Sequence, residues 1–263
     1  MKKFLVIGNP IEHSLSPNLH NYWFKKNNIN AIYGKLETYE NDLPELCKSV
    51  KRGELDGLNV TVPFKNSIIP FLDKLTIEAE KTQSVNTIYL KDEMVIGHNT
   101  DIEGFELAIK HIKYDVSQKN VLLLGAGGVS PSIIFALNNM KAKRIFISNR
   151  TRSKAENLKK IFSEIEIVEW GALPDLDMII NATSLGLKND EKINLEYSKI
   201  GSNKLFYDVI YNPSQTDFLK SGKDTGNKIE NGMKMFLYQA QASFKIWNKI
   251  TPEVNDKISK LLD

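Results

Sequence analysis

The run Val121-Leu-Leu-Leu-Gly-Ala-Gly-Gly-Val-Ser-Pro-Ser132 constrains this chain more than any other segment. An apolar strand, a glycine turn and a helix start follow one another in the order that a dinucleotide site needs. Gly125 permits the tight turn, Gly127 lets backbone N–H groups approach a pyrophosphate, and the start of the following helix favours its negative charge. Ser130 stands at the third glycine of the G-x-G-x-x-G pattern, so the bare motif is imperfect and a purely structural βα turn competes with it. The next strand ends Phe146-Ile-Ser-Asn-Arg150-Thr, without the Asp or Glu that an NAD site places there. Asn149 and Arg150, with Arg152 nearby, instead offer a forked cation to a ribose 2′-phosphate, which points to NADP(H). A solvated helix start is the plainer reading of the same residues.

Apolar runs of four to six residues alternate with amphipathic stretches along the chain, the rhythm of a mostly parallel sheet covered by helices. Strands are expected over 4–7, 31–36, 57–62, 121–124, 144–148, 165–168, 178–181 and 205–209, and helices over 101–112, 130–140 and 153–162. The segment 87–97 reads as a hairpin around Lys91-Asp-Glu93. A long amphipathic helix is expected from Gly232 to about Asn248, and Thr251-Pro-Glu253 reads as the opening of a last helix. The fold class is therefore α/β with two domains. Residues 1–101 and 237–263 are expected to form the first, and residues 102–236 the second, with the terminal helices returning to the first.

Composition narrows the partners. With 35 Lys+Arg against 32 Asp+Glu the net charge is only +3, and no basic run is denser than Arg150-Thr-Arg152-Ser-Lys154, so nucleic acid is not expected. Cys47, the single cysteine, can form neither an internal disulfide nor a multi-thiolate metal site, and it reads as a small buried hydrophobe. His13, His20, His98 and His111 share no metal-ligand spacing, and no metal is expected. The apolar stretch 4–7 is shorter than a signal-peptide core, and no membrane span or membrane partner is expected. The expected compartment is the cytoplasm.

The first half carries an unusual set of polar residues at element ends. His13-Ser-Leu-Ser-Pro17 follows a strand and offers two hydroxyls, although Ser16-Pro17 taken alone is an N-cap and N1 pair. Asn59-Val-Thr-Val-Pro-Phe-Lys65 puts Asn59 and Thr61 at period two and Lys65 just past the strand end, where open α/β sheets bind ligands. A lone lysine there is most simply a solvated charge. Asn86-Thr87 and Asn99-Thr-Asp101 add two amides and a carboxylate. Together the hydroxyls, amides and a Lys/Asp pair suit a small polyhydroxy acid.

These residues resemble the shikimate dehydrogenase family. Gly8-Asn-Pro-Ile-Glu-His-Ser-Leu-Ser-Pro-Asn-Leu-His-Asn21 is similar to its N-terminal signature, and 59–65 to its catalytic-lysine motif. Further matches are Ser84-Val-Asn-Thr87, Gly97-His-Asn-Thr-Asp101, Gly125-Ala-Gly-Gly128, Asn149-Arg-Thr151, Asn181-Ala-Thr-Ser-Leu-Gly186, Asp208-Val-Ile-Tyr-Asn-Pro213 with Thr216, and Gly232-Met with Gln239-Ala240. They run in the family's order from residue 8 to about 247. Val129 and Ser132 depart from the alanines common there, and Pro131 occupies the first helical turn, where proline is tolerated.

The resemblance implies a substrate domain followed by a Rossmann-like NADP-binding domain, and reversible NADPH-dependent reduction of 3-dehydroshikimate to shikimate, on the route to chorismate and the aromatic amino acids. It implies that Ser14, Ser16, Asn59, Thr61, Lys65, Asn86, Asp101, Tyr211 and Gln239 line the substrate site. Gly125, Ala126, Gly127, Gly128, Asn149, Arg150, Thr151, Thr183 and Gly232 would line the NADP(H) site. Hydride transfer to a ketone builds charge on the carbonyl oxygen, and Lys65 beside Asp101 can stabilise and protonate it. A carboxylate beside an ammonium favours its charged form, so the pairing suits the reductive direction. The expected state is a monomer or homodimer. The alternatives are a quinate/shikimate enzyme using NAD, disfavoured by Arg150, and a non-catalytic NADP-binding sensor, disfavoured by the intact Lys65 and Asp101.

Overall fold

Continuous apolar runs become buried strands in two separate sheets. The computed structural model describes residues 1–188, 191–255, 257–258 and 262. The chain divides into two units, Met1–Gly104 with Leu237–Asp263, and Phe105–Phe236, so both divisions fall inside helices, Asp101–His111 and Met233–Asn248.

The first unit holds strands β1 (Lys2–Gly8), β2 (Ala31–Glu37), β3 (Gly57–Val60), β4 (Lys74–Leu75), β5 (Thr87–Lys91) and β6 (Met94–His98). Their order is β2-β1-β3-β5-β6-β4, with β1 parallel to β2 and β3, and β5 antiparallel to β3 and β6. The β5–β6 pair is the expected hairpin. One face packs Ile7, Leu58, Val60 and Ile88 against helix Leu43–Lys51, where Cys47 is buried as expected. On the other face Phe4 and Tyr33, paired in register, meet an aromatic cluster of His20, Trp23, Phe24, Phe244 and Trp247. Trp247 Nε1 also donates to the Ile88 carbonyl at 3.1 Å, so helix Met233–Asn248 is fastened to this sheet from Leu237 onward.

The second unit holds β7 (Asn120–Leu124), β8 (Arg144–Ser148), β9 (Glu166–Ile167), β10 (Met178–Asn181), β11 (Leu205–Asp208) and β12 (Lys228–Glu230), in the order β12-β11-β10-β7-β8-β9. All its pairings are parallel. The chain winds outward from β7 to β9, then returns beside β7 and winds the other way. This is the doubly wound order of dinucleotide-binding folds, and its switch point lies between β7 and β10. β10 and β11 are buried along their whole length, as strands covered on both faces must be.

Three local expectations are corrected. Ser16 is the first helical residue, not the N-cap; Leu15 holds that position without a side-chain bond. Residues 251–255 are irregular, so no helix opens at Thr251, and the rest of that expected helix falls largely on residues outside those described. Strands β4 and β12 were not expected, being two and three residues long. Among the described residues, no helix is long and apolar enough to cross a membrane, and no group of three or more His, Cys, Asp and Glu is placed to hold a metal.

His20 is fully buried in the aromatic cluster, and neither ring nitrogen has a hydrogen-bond partner. Burial pushes its pKa from 6.5 down to about 3. Below pH 6.5 the unfolded chain binds a proton that the folded chain does not, so stability falls as pH falls through this window, by about 1.4 kcal/mol per pH unit. Urea unfolding at pH 6 and pH 4.5, roughly the middle of that window, should show wild type losing more stability than His20→Phe, by about that slope.

Candidate active site

Lys65 lies in the turn after β3, and Asp101 is the first residue of helix Asp101–His111. Their side chains are 11% and 8% exposed, and Lys65 Nζ meets Asp101 Oδ2 at 2.5 Å. The other carboxylate oxygen accepts from Asn86 Nδ2 at 2.9 Å. Which end of that amide faces Asp101 is settled by its oxygen, which accepts from the Thr100 backbone N–H at 2.8 Å and stands near the Thr100 and Thr87 hydroxyls. Asn99 accepts from the Asp101 backbone N–H at 3.1 Å. A carboxylate at a helix start, with an amide donor and an ammonium on its two oxygens, is a pair fixed in direction.

Asn59, on β3, is buried beside this pair. Its Nδ2 donates to the Asn86 carbonyl at 2.9 Å and reaches Thr87 Oγ1 and Ser243 Oγ, both at 3.1 Å. Its Oδ1 accepts from the Tyr33 hydroxyl at 2.6 Å. Gln239 Oε1 lies 3.5 Å from Asn86 Nδ2. Ser14 is half-buried and Ser16 buried, with Ser14 Oγ accepting from the Ser16 backbone N–H at 3.4 Å. Thr61, just past β3, is half-buried. The first unit thus brings Lys65, Asp101, Asn86, Asn59 and Gln239 into one hydrogen-bonded group. Tyr211 belongs to the second unit, where its ring packs on Phe236 at 4.8 Å.

In the second unit the glycine turn closes the end of β7. Gly125 has φ +106°, and a Cβ there would stand 2.9 Å from the Ala182 backbone, so only glycine fits between β7 and the turn after β10. Ser130 Oγ donates to the Gly125 carbonyl at 3.0 Å and accepts from the Gly127 N–H at 3.1 Å. The serine at the third glycine position is therefore a clasp across the turn. Asn149 Oδ1 accepts from the Ala126 N–H at 3.0 Å, tying the end of β8 to the same turn. Thr183 hydrogen-bonds Asn181 Oδ1 through both its N–H and its hydroxyl, and Asn181 in turn donates to the buried Asp208 at 3.0 Å. Burial pushes the Asp208 carboxyl up to about 6, against donors from Thr216, Ile210 and Asn181. At Gly232 a Cβ would fall 2.0 Å from the Val209 carbonyl oxygen, which excludes any side chain.

The two arginines expected to offer one cation differ. Arg150 is exposed and makes no side-chain hydrogen bond or ion pair among the described residues. Arg152 is bound to Glu156 at 3.1 Å and also to Glu169, so it is not free as the sequence suggested. Thr151 precedes helix Arg152–Ile161 and is exposed, without a cap bond. Sequence reasoning missed Tyr33, Thr87, Thr100 and Ser243, which join the site through the register of β2, β3 and β5 and through helix Met233–Asn248. Thr87 and Thr100 stand beside the amides that the sequence singles out, which was a signal for them, whereas Tyr33 and Ser243 had none.

A doubly wound sheet with a glycine turn at its switch point defines a dinucleotide-binding α/β protein, and a separate α/β unit carries a buried Lys–Asp pair. The family described as the shikimate dehydrogenase substrate binding domain matches residues 6–88, and shikimate / quinate 5-dehydrogenase matches residues 106–209. The shikimate dehydrogenase (NADP(+)) of Pelagibacter ubique is 55% identical over 262 residues, covering 100% of this chain and 99% of its own. The shikimate dehydrogenase of Aquifex aeolicus superposes with a TM-score of 0.90 at 34% identity, covering 100% and 97% of the two chains. That of Thermus thermophilus, solved with NADP(H) and shikimate, gives 0.91 at 28% identity, covering 100% and 98%. The chain belongs to the shikimate dehydrogenase family.

Proposed function

We propose that the chain catalyses the reversible reduction of 3-dehydroshikimate to shikimate with NADPH. The observation that carries this reading is the buried 2.5 Å Lys65–Asp101 pair, set among oriented amides and hydroxyls. In this reading residues 1–101 with 237–263 bind the substrate and residues 102–236 bind NADP(H). The enzyme works in the cytoplasm as a monomer or homodimer, without metal, membrane or nucleic acid.

The second unit fits a dinucleotide phosphate. Gly125, Ala126, Gly127 and Gly128 leave a turn with no side chain larger than a methyl group, next to the start of helix Ser130–Asn139. Asn149, Arg150, Thr151, Thr183 and Gly232 complete the set, with the free Arg150 as the group for a 2′-phosphate. When bound, NADPH supplies the hydride.

Ser14 and Ser16 hold the substrate carboxylate, while Asn59, Thr61, Asn86 and Gln239 read its hydroxyls. Lys65 faces the carbonyl oxygen and gives it a proton as negative charge develops there. Asp101 aims the ammonium and accepts from a substrate hydroxyl. Exclusion of water strengthens each of these interactions, because charge on the oxygen then meets fixed donors in a medium of low dielectric.

The test is loss of NADPH absorbance with 3-dehydroshikimate, followed by shikimate and quinate oxidation in the reverse direction. Quinate should turn over far more slowly than shikimate. Comparable rates for the two would overturn the substrate assignment.

Lys65→Met, which keeps the aliphatic stem, should lower kcat by at least about 100- to 1,000-fold while shikimate KM changes only several-fold. Lys65→Arg should not rescue it, since a guanidinium does not give up its proton. A variant that kept kcat and lost only KM would make Lys65 a substrate anchor.

Arg150→Ala should weaken NADPH binding about 10- to 100-fold, the loss of one charge-assisted contact, and leave NADH nearly unchanged. Arg152→Ala should change neither appreciably, because that guanidinium is already held by two glutamates. Fluorescence titration with both cofactors distinguishes these outcomes.

A further inference from the structure

The glycine turn of the second unit spends its first N–H groups inside the protein. Gly125 donates to the Ser148 carbonyl at 2.8 Å, Ala126 to Asn149 Oδ1 at 3.0 Å and Gly127 to Ser130 Oγ at 3.1 Å. The Ser130 backbone N–H returns to the Gly127 carbonyl at 3.1 Å, so a single residue holds both polar groups of Gly127. The same hydroxyl donates to the Gly125 carbonyl at 3.0 Å. Its direction is forced, since a carbonyl can only accept and an N–H can only donate. Among the described residues nothing else bonds the Gly125 carbonyl or the Gly127 N–H.

These N–H groups are therefore closed to a ligand, and what Gly127 offers is its bare Cα. A Cβ there would come no nearer than 4.0 Å to the Ala182 carbonyl oxygen, so that flank of the turn is open. A pyrophosphate has this flank and the start of helix Ser130–Asn139 to settle against. Glycine permits such a shape among many others, because without a Cβ it samples both signs of φ. Ser130, fully buried where the dinucleotide pattern carries its third glycine, closes the turn from Gly125 to Gly127 and so selects one shape.

We propose that Ser130 is a positioning residue for NADP(H): its hydroxyl sets the glycine turn, before any cofactor arrives, in the shape that receives the pyrophosphate. The proposal rests on the reading of the second unit as the NADP(H) site. Without the hydroxyl the buried Gly125 carbonyl loses its donor, which drives the turn toward other conformations. A turn that held the receptive shape only about one tenth of the time would bind about tenfold more weakly, because apparent affinity scales with the competent fraction.

The experiment titrates NADPH by fluorescence and adenosine 2′-monophosphate by calorimetry into wild type, Ser130→Ala and Ser130→Gly. The second ligand carries the 2′-phosphate and no pyrophosphate, so it reports on the Arg150 end of the site. Both variants should bind NADPH about tenfold more weakly and adenosine 2′-monophosphate within about twofold of wild type. NADP+ KM should rise with the NADPH dissociation constant, while kcat and shikimate KM stay within about twofold. Ser130→Gly completes the G-x-G-x-x-G pattern in letters and should still lose affinity; it decides the matter even if Ser130→Ala does not fold. NADPH affinity retained by Ser130→Ala, equal loss of both ligands, or tighter NADPH binding by Ser130→Gly than by wild type would overturn the proposal. A wild type that does not bind NADPH would overturn the reading of the cofactor site itself, and the proposal with it.

Discussion

The buried ion pair between Lys65 and Asp101 sets the demands that the rest of the first unit meets. Two charges removed from water lose solvation worth several kcal/mol each, and their attraction recovers it only when the remaining donors and acceptors are also satisfied. Asp101 meets this with the helix start on which it sits and with the Asn86 amide. Asn86 in turn needs its oxygen occupied so that its nitrogen faces the carboxylate, and Thr100 and Thr87 do that. Each polar residue around the pair is thus there to orient the one inside it. A set of amides and hydroxyls that looks like a substrate pocket from the sequence is in good part the support of an ion pair.

The second unit repeats this logic with a single charge. Asp208 is buried with three donors, and its partner Asn181 uses the other end of its amide to hold Thr183. Thr183 lies beside Gly125, where a Cβ would come within 2.9 Å of its methyl group. The shape of the glycine turn therefore depends on a carboxylate at the end of β11, the next strand but one. Both units place a rigid, directional polar network at the carboxyl end of parallel strands, the end at which open α/β sheets bind ligands.

The strands were legible where they are long and apolar. β7, β10 and β11 are buried on both faces, and burial on both faces leaves an unbroken hydrophobic run. Strands β4 and β12 were not, because Lys74-Leu75 and Lys228-Ile-Glu230 are too short to carry a period and too charged to read as core. Among site residues, Lys65 and Asp101 were legible from their chemistry and their places at element ends. Tyr33 and Ser243 were not: they reach Asn59 across 26 and 184 residues of sequence, through a strand register that no local pattern specifies. The difference between Arg150 and Arg152 was equally hidden, since it depends on Glu169, which comes from beyond β9.

Ser130 shows how a departure from a motif can be read physically once its surroundings are known. A glycine at the third position of the pattern serves close packing of helix on strand. Here the position is fully buried with a side chain present, so the packing has room for a hydroxymethyl group. That group spans the turn, accepting from Gly127 and donating to Gly125. It thereby binds Gly127 to Gly125, whose positive φ the turn requires and whose flexibility costs conformational entropy on folding. The substitution weakens the motif as a pattern of letters, while in the structure it fixes the conformation that Gly125 only permits.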